Sequence, residues 1–154
     1  MREQTDRFRL LAQKLAESTP GFFDIKGAGE GDHATNAFMK SLRILAQKQF
    51  GADLHEKQCV AGPNFRFDFY LPNERTVIEI ALSLRNPNSE FEKDLLKCIL
   101  AQKQGLEIKH LLLISKPGGM KKADEPGRKR MAELVQTDFG IAVEVWDLCP
   151  KSGP

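Results

Sequence analysis

Apolar residues recur along this chain with two different periods, and each change of period predicts a change of secondary structure. In residues 5–17 (TDRFRLLAQKLAE), Phe8, Leu11 and Leu15 fall at helical spacing, which predicts a helix. Residues 18–31 hold four glycines and a proline and read as a loop. Asp32 can then cap a second helix over 33–50, which stops before Gly51. Three strands are expected next, at about 54–60 (LHEKQCV), 65–71 (FRFDFYL) and 76–82 (TVIEIAL). Gly62-Pro63-Asn64 and Pro72-Asn73-Glu74-Arg75 separate them, and links this short make antiparallel hairpins. Ser89 and Glu92 form a capping box for a third helix, which runs to about Gln104 and stops at Gly105. His110–Ser115 (HLLLIS) reads as a buried strand, followed by a basic loop, a helix over about 124–138 and a last strand, Ile141–Leu148.

The predicted order, α-α-β-β-β-α-β-α-β, describes an α/β fold. A three-strand antiparallel meander, continued by crossover helices, gives one mixed β-sheet with flanking helices. Residues 1–31 form an N-terminal helix and loop, and 32–150 the core of a single domain. LLAQK at 10–14 is echoed by ILAQK at 44–48 and 99–103. The intervals are unequal, so three helices built from good helix formers explain the echo better than a solenoid does.

Composition narrows the function classes only a little. A chain of 154 residues with 41% hydrophobic and 29% charged residues can bury a core without disulfides or metals. A net charge of +2 does not by itself argue for nucleic acid, so any basic surface must be local. Cys59, Cys98 and Cys149 match no zinc or redox spacing and suit a reduced protein. Met1-Arg2-Glu3-Gln4 lacks an apolar leader, and no apolar run approaches the ~18 residues a membrane span needs. The expected location is the cytoplasm, with no membrane partner.

The strands 65–71 and 76–82 carry the chemistry. Alternation puts Phe65, Phe67, Phe69 and Leu71 on one face and Arg66, Asp68 and Tyr70 on the other. In the next strand Ile78, Ile80 and Leu82 face one way, and Val77, Glu79 and Ala81 the other. A four-residue loop at 72–75 pairs Leu71 with Thr76, and counting back sets Asp68 directly opposite Glu79. Cross-strand neighbours lie about 4.5–5.5 Å apart at Cβ. Two carboxylates that close repel unless a cation lies between them, and hard oxygen ligands suit Mg²⁺ or Mn²⁺.

With these residues in place, the segment FRFDFYLPNERTVIEI resembles the PD-(D/E)XK nuclease superfamily, whose fold is the restriction-endonuclease-like one. The resemblance covers roughly residues 33–148. The family has an acid on the second meander strand and (D/E)-x-K on the third. Asp68 and Glu79-Ile80-Ala81 stand at those places, so Ala81 replaces the signature lysine. The resemblance implies that Asp68 and Glu79 bind Mg²⁺ or Mn²⁺ and that the substrate is DNA. It also implies a glutamate from the first core helix, near where Asn36 stands here; Glu56 is an alternative.

The missing lysine orients water or stabilises charge on the phosphate, so a cation must come from elsewhere. Arg66 pairs with Ala81 in this register but is a poor base. Lys97 and Lys93, on the helix after Glu79, rank ahead of Lys57, which falls opposite Asp68 if 61–64 is a four-residue loop. Lys116, Lys121, Lys122, Arg128, Lys129 and Arg130, in the basic stretch 116–130, could contact phosphates, as could Arg66. His33, His55 and His110 are scattered; His55 and Cys59 lack a second pair to complete a zinc site. Cys98 belongs to an apolar helix face, and Trp146 packs the last strand.

The expected function is a metal-dependent nuclease hydrolysing phosphodiester bonds in DNA, with a homodimer as an open option. The alternative is an inactive member of the same fold that binds nucleic acid or protein.

Overall fold

The computed structural model describes residues 2–24, 30–55, 66–82, 84 and 91–151. Two helices open the chain, α1 (Glu3–Ser18) and α2 (Glu30–Phe50). A short strand β1 (Phe69–Leu71) turns through a 3₁₀ turn at Pro72–Glu74 into β2 (Thr76–Ile80). Helix α3 (Phe91–Lys103) leads to β3 (His110–Ser115). Two more helices, α4 (Gly119–Ala123) and α5 (Pro126–Phe139), precede β4 (Ala142–Asp147). No helix among the described residues is long and apolar enough to cross a membrane.

The four strands form one mixed sheet in the order β1-β2-β3-β4. β1 and β2 are antiparallel, whereas β2, β3 and β4 run parallel. The chain is therefore α/β with flanking helices, as its pattern predicts. The expected three-strand meander is corrected: among the described residues only one antiparallel strand pair is present. What precedes β1 is an isolated antiparallel bridge, His55 to Phe69, with the Tyr70 amide donating to the Leu54 carbonyl at 3.2 Å. Most of the strand expected over 54–60, and with it Lys57, Glu56 and Cys59, lies outside the described residues, as do Phe65 and Ser89.

Helices cover both faces of the sheet. On one face Phe8, Ala12, Phe38 and Leu42 of α1 and α2 pack on Phe69, Leu71, Ile78, Leu112 and Ile114. On the other, Phe91, Leu95, Cys98 and Ala101 of α3 and Val135 of α5 pack on Val77, Ala81, Leu111 and Leu113. This double cover explains why β3 reads as an unbroken apolar run: Leu111 to Ile114 are fully buried on alternating sides.

The hairpin register matches the expected one, Phe69 with Ile78, Tyr70 with Val77 and Leu71 with Thr76. The expected facing of Phe67 does not hold. Phe69 and Leu71 point to the α1–α2 side, but Phe67 packs with Tyr70, Val77 and Ala81 on the α3 side. Alternation holds only within a strand, and β1 begins at Phe69. At the bend Asp68 Oδ2 accepts the Ile80 amide at 2.8 Å. A side chain thus takes a bond that a backbone carbonyl would otherwise make, and the chain leaves the ladder there.

Candidate active site

The carboxyl-terminal end of β2 is the focus of the fold. In open α/β sheets, ligands gather beyond the carboxyl ends of parallel strands. Because β1 runs antiparallel, the residue just before it, Asp68, arrives at that same end. Asp68 and Glu79 line one cavity of about 270 Å³, together with Arg66, Lys93, Asp94 and Lys97. The Asp68 amide lies 3.4 Å from Glu79 Oε2, a long contact that nevertheless sets the two acids side by side.

Lys97 completes the cluster. Its ammonium contacts Glu79 Oε1 and donates to Asp94 Oδ1 at 3.0 Å and to the Arg66 carbonyl at 3.1 Å. It also lies 5.8 Å from the centre of the Phe67 ring. Glu79, Asp94 and Lys97 are 4%, 3% and 6% exposed, a degree of burial charged groups accept only when paired. Helical periodicity predicts the stripe of Lys93 and Lys97 to lie away from the apolar face of α3. The fold instead buries Lys97 with Phe91, Leu95 and Cys98, because α3 docks its edge against the end of β2. Lys93 stays exposed at the rim of the same cavity.

Asp94 is the residue that the strand pattern does not reveal. An acid in the first turn of a helix has an ordinary explanation, since it complements the helix dipole. The available signal is the D-x-x-K spacing of Asp94 and Lys97, which puts both on one helical face.

Glu79 and Asp94 share the one ammonium and Asp68 lies beside Glu79, so acids outnumber the cation, and both titrating partners register it. Burial, then the charges of Asp68 and Asp94, hold the Glu79 carboxyl well above its ordinary value, although Lys97 pulls the other way. Burial works to lower the Lys97 ammonium, but Glu79 and Asp94 outweigh it and hold it above the ordinary lysine value. Lys97 is therefore a fixed positive charge rather than a base. Burial, reinforced by Glu79 and Asp94, also pushes the Cys98 thiol well up, which removes it as a nucleophile.

The raised Glu79 value fixes a sign. Below the ordinary 4.5, folded and unfolded chains both hold the proton. Above it the unfolded chain ionises first, so the ion-free protein loses stability as pH climbs toward the folded value. Urea melts across mildly acidic to neutral pH should show wild type losing stability relative to Glu79→Gln over that window. A constant difference would mean that Glu79 is not strained by its neighbours.

The donor set suits a hard divalent cation. Asp68 uses only Oδ2 for the Ile80 amide, and Mg²⁺ commonly binds through one or two carboxylates while keeping water and substrate oxygens. Among the described residues no group of three His, Cys, Asp or Glu side chains is placed to hold a metal ion.

In the basic stretch 116–130, α5 matches the helix expected over about 124–138, and α4 lies where a loop is expected. Gly118, at φ 103°, precedes α4, and Pro126 opens α5. Asp147 Oδ2 and Oδ1 accept the Gly118 and Met120 amides at 3.1 and 3.0 Å, which holds α4 to the end of β4. Its cations serve different purposes. Arg128 is buried with its guanidinium 5.9 Å from the Phe91 ring centre, and Lys116 lies over Phe22 at 4.9 Å. Lys122 pairs with Glu125 at 3.0 Å and Lys129 with Asp124 at 3.7 Å. Lys121 and Arg130 are exposed, as is Arg66 at the rim of the acidic cavity. If this surface touches DNA, Lys121→Gln should lower the slope of log affinity against log salt by about one unit. An unchanged slope would mark it as ordinary solvated surface.

Comparison with family models, with curated proteins and with solved structures finds no match to the chain.

Proposed function

We propose that this chain is a metal-dependent phosphodiesterase of the PD-(D/E)XK type that cleaves DNA, with Asp68 and Glu79 as its metal-binding acids. The observation that carries this reading is Lys97. Ala81 cannot supply the signature lysine, yet a lysine from α3 reaches Glu79 at the Asp68–Glu79 cavity. The element order supports the same reading: a helix, a hairpin with Asp68 just before its first strand and Glu79 on its second, a helix and a parallel strand.

A bound Mg²⁺ or Mn²⁺ would polarise the phosphate and lower the pKa of a nearby water. The protein's own groups divide the remaining work. Asp68 and Glu79 hold the ion. Lys97, charged throughout, stabilises negative charge developing on the phosphate. Asp94 and the Arg66 carbonyl fix the Lys97 ammonium in place, so no reorganisation is needed as charge develops. Arg66 and Lys93, at the rim, are positioned to meet the DNA backbone.

The deciding experiment incubates plasmid DNA with wild type and Asp68→Asn in Mg²⁺ or Mn²⁺. Wild type should cleave and the variant should not, while both melt alike. Thermal stabilisation by the divalent ion should also vanish in the variant. DNA binding with no cleavage in either ion would favour the inactive binding module instead.

A further inference from the structure

Asp68 is a wall shared by two cavities. The first holds Glu79 and Lys97. The second, about 430 Å³, lies against α2 and is lined by Asn36, Lys40, Arg43, His55, Asp68 and Ile80, among others. Asp68 and Ile80 line both, so the two cavities adjoin at the candidate catalytic acid Asp68.

Along the second cavity α2 presents Asn36, Lys40 and Arg43 at helical spacing, which places them on one stripe. The stripe spans seven residues, about 10 Å at 1.5 Å per residue. A DNA strand advances about 3.4 Å per nucleotide along its axis, so this length accommodates about three nucleotides. Lys40 is exposed at the cavity wall. The Arg43 guanidinium is oriented by Asp53 at 2.6 Å, and the Asp53 Oδ1 atom accepts the His55 amide at 3.1 Å. His55 Nδ1 donates to the Asp68 carbonyl at 2.9 Å, which ties this wall to the catalytic acid.

We propose that the α2 cavity binds the phosphates of the DNA strand that flank the scissile one, with Lys40 and Arg43 as the phosphate-contacting side chains. This assignment rests on the nuclease reading above. It gives that reading a direction, since the strand enters past α2, crosses Asp68 and reaches Lys97. Arg and Lys are the side chains that meet DNA phosphates most readily, and such contacts set register rather than sequence preference. The negative charge of Asp68 opposes a phosphate here, and an ion held by the acids removes that opposition.

The test measures binding of a labelled DNA duplex by fluorescence anisotropy across a salt series. Ca²⁺ takes the place of Mg²⁺, and turnover is measured separately in Mg²⁺. Lys40→Gln should weaken binding severalfold and lower the log–log salt slope by about one unit, and Lys40→Gln with Arg43→Gln by about two. Lys48→Gln, on the same helix but outside the cavity, should bind as wild type does. Circular dichroism on each variant guards against loss of the Arg43–Asp53 pair. If wild type cleaves but the Lys40 variant binds with unchanged affinity and slope, the α2 assignment fails and the nuclease reading stands. Equal weakening by Lys48→Gln also overturns it, since the effect would then be general charge. If wild type neither binds nor cleaves DNA, the nuclease reading fails and the assignment falls with it.

Discussion

Replacing Lys97 with methionine is expected to lower DNA cleavage by about 10²–10⁴-fold, the range lost when a positioned proton-transfer or charge-stabilising group is removed. Lys97 is the cation that reaches Glu79, and Ala81 offers nothing in its place. The same change should destabilise the fold by about 3–5 kcal/mol, because it leaves Glu79 and Asp94 buried without their counter-charge. Lys97→Arg separates the two effects. Its guanidinium keeps the charge, so much of the stability should return, but its planar fork does not reproduce the ammonium contacts to Glu79, Asp94 and the Arg66 carbonyl. Single-turnover cleavage and urea unfolding on both variants are the measurements. Full activity in a folded Lys97→Met protein would sink the role assigned here.

The second large effect is structural. Phe69→Ala should cost about 3–5 kcal/mol, the range for emptying a phenylalanine site in a packed core. Phe69 is fully buried, meets Phe8 edge-on at 4.8 Å between ring centres and lies 5.1 Å from the His55 ring. It thus joins α1, the segment at His55 and β1. It also immediately follows Asp68, so its loss should loosen the acid and reduce divalent-ion stabilisation. Urea unfolding with and without Mg²⁺ reads both consequences. A loss below ~1 kcal/mol would mean that β1 does not anchor this edge of the sheet.

Most of the secondary structure was legible because each element satisfies a local rule. α1, α2 and α3 carry apolar residues at helical spacing and stop near glycine or a turn. Gly51 and Gly105 follow α2 and α3 in the left-handed region, at φ 71° and 95°, where glycine is least strained. The hairpin register was legible for a similar reason. A four-residue connection leaves one pairing that keeps Phe69, Leu71 and Ile78 on one face, and one residue of slip would expose them. Within 116–130 the sequence shows α5 but not α4, because α4 is too short to show a period. Its amides are capped by Asp147, nearly thirty residues away, and a local window cannot see such a partner.

The sequence alone determined the hairpin register, Phe69 with Ile78 through Leu71 with Thr76, because side-chain parity and loop length are local quantities. It could not determine where Lys97 and Asp94 go. Judged by its own helix, Lys97 belongs in water, and burying it carries a large desolvation cost. Only tertiary structure brings Glu79 to the edge of α3, and the carboxylates of Glu79 and Asp94 then offset that cost. Nor could the pattern show that Phe67 leaves the side of Phe69, since that follows from a bond between Asp68 and the Ile80 amide twelve residues along the chain. Pairing within a hairpin follows from periodicity. The assembly of a charged cluster depends on which elements pack together, and that is set by the whole core rather than by any segment of it.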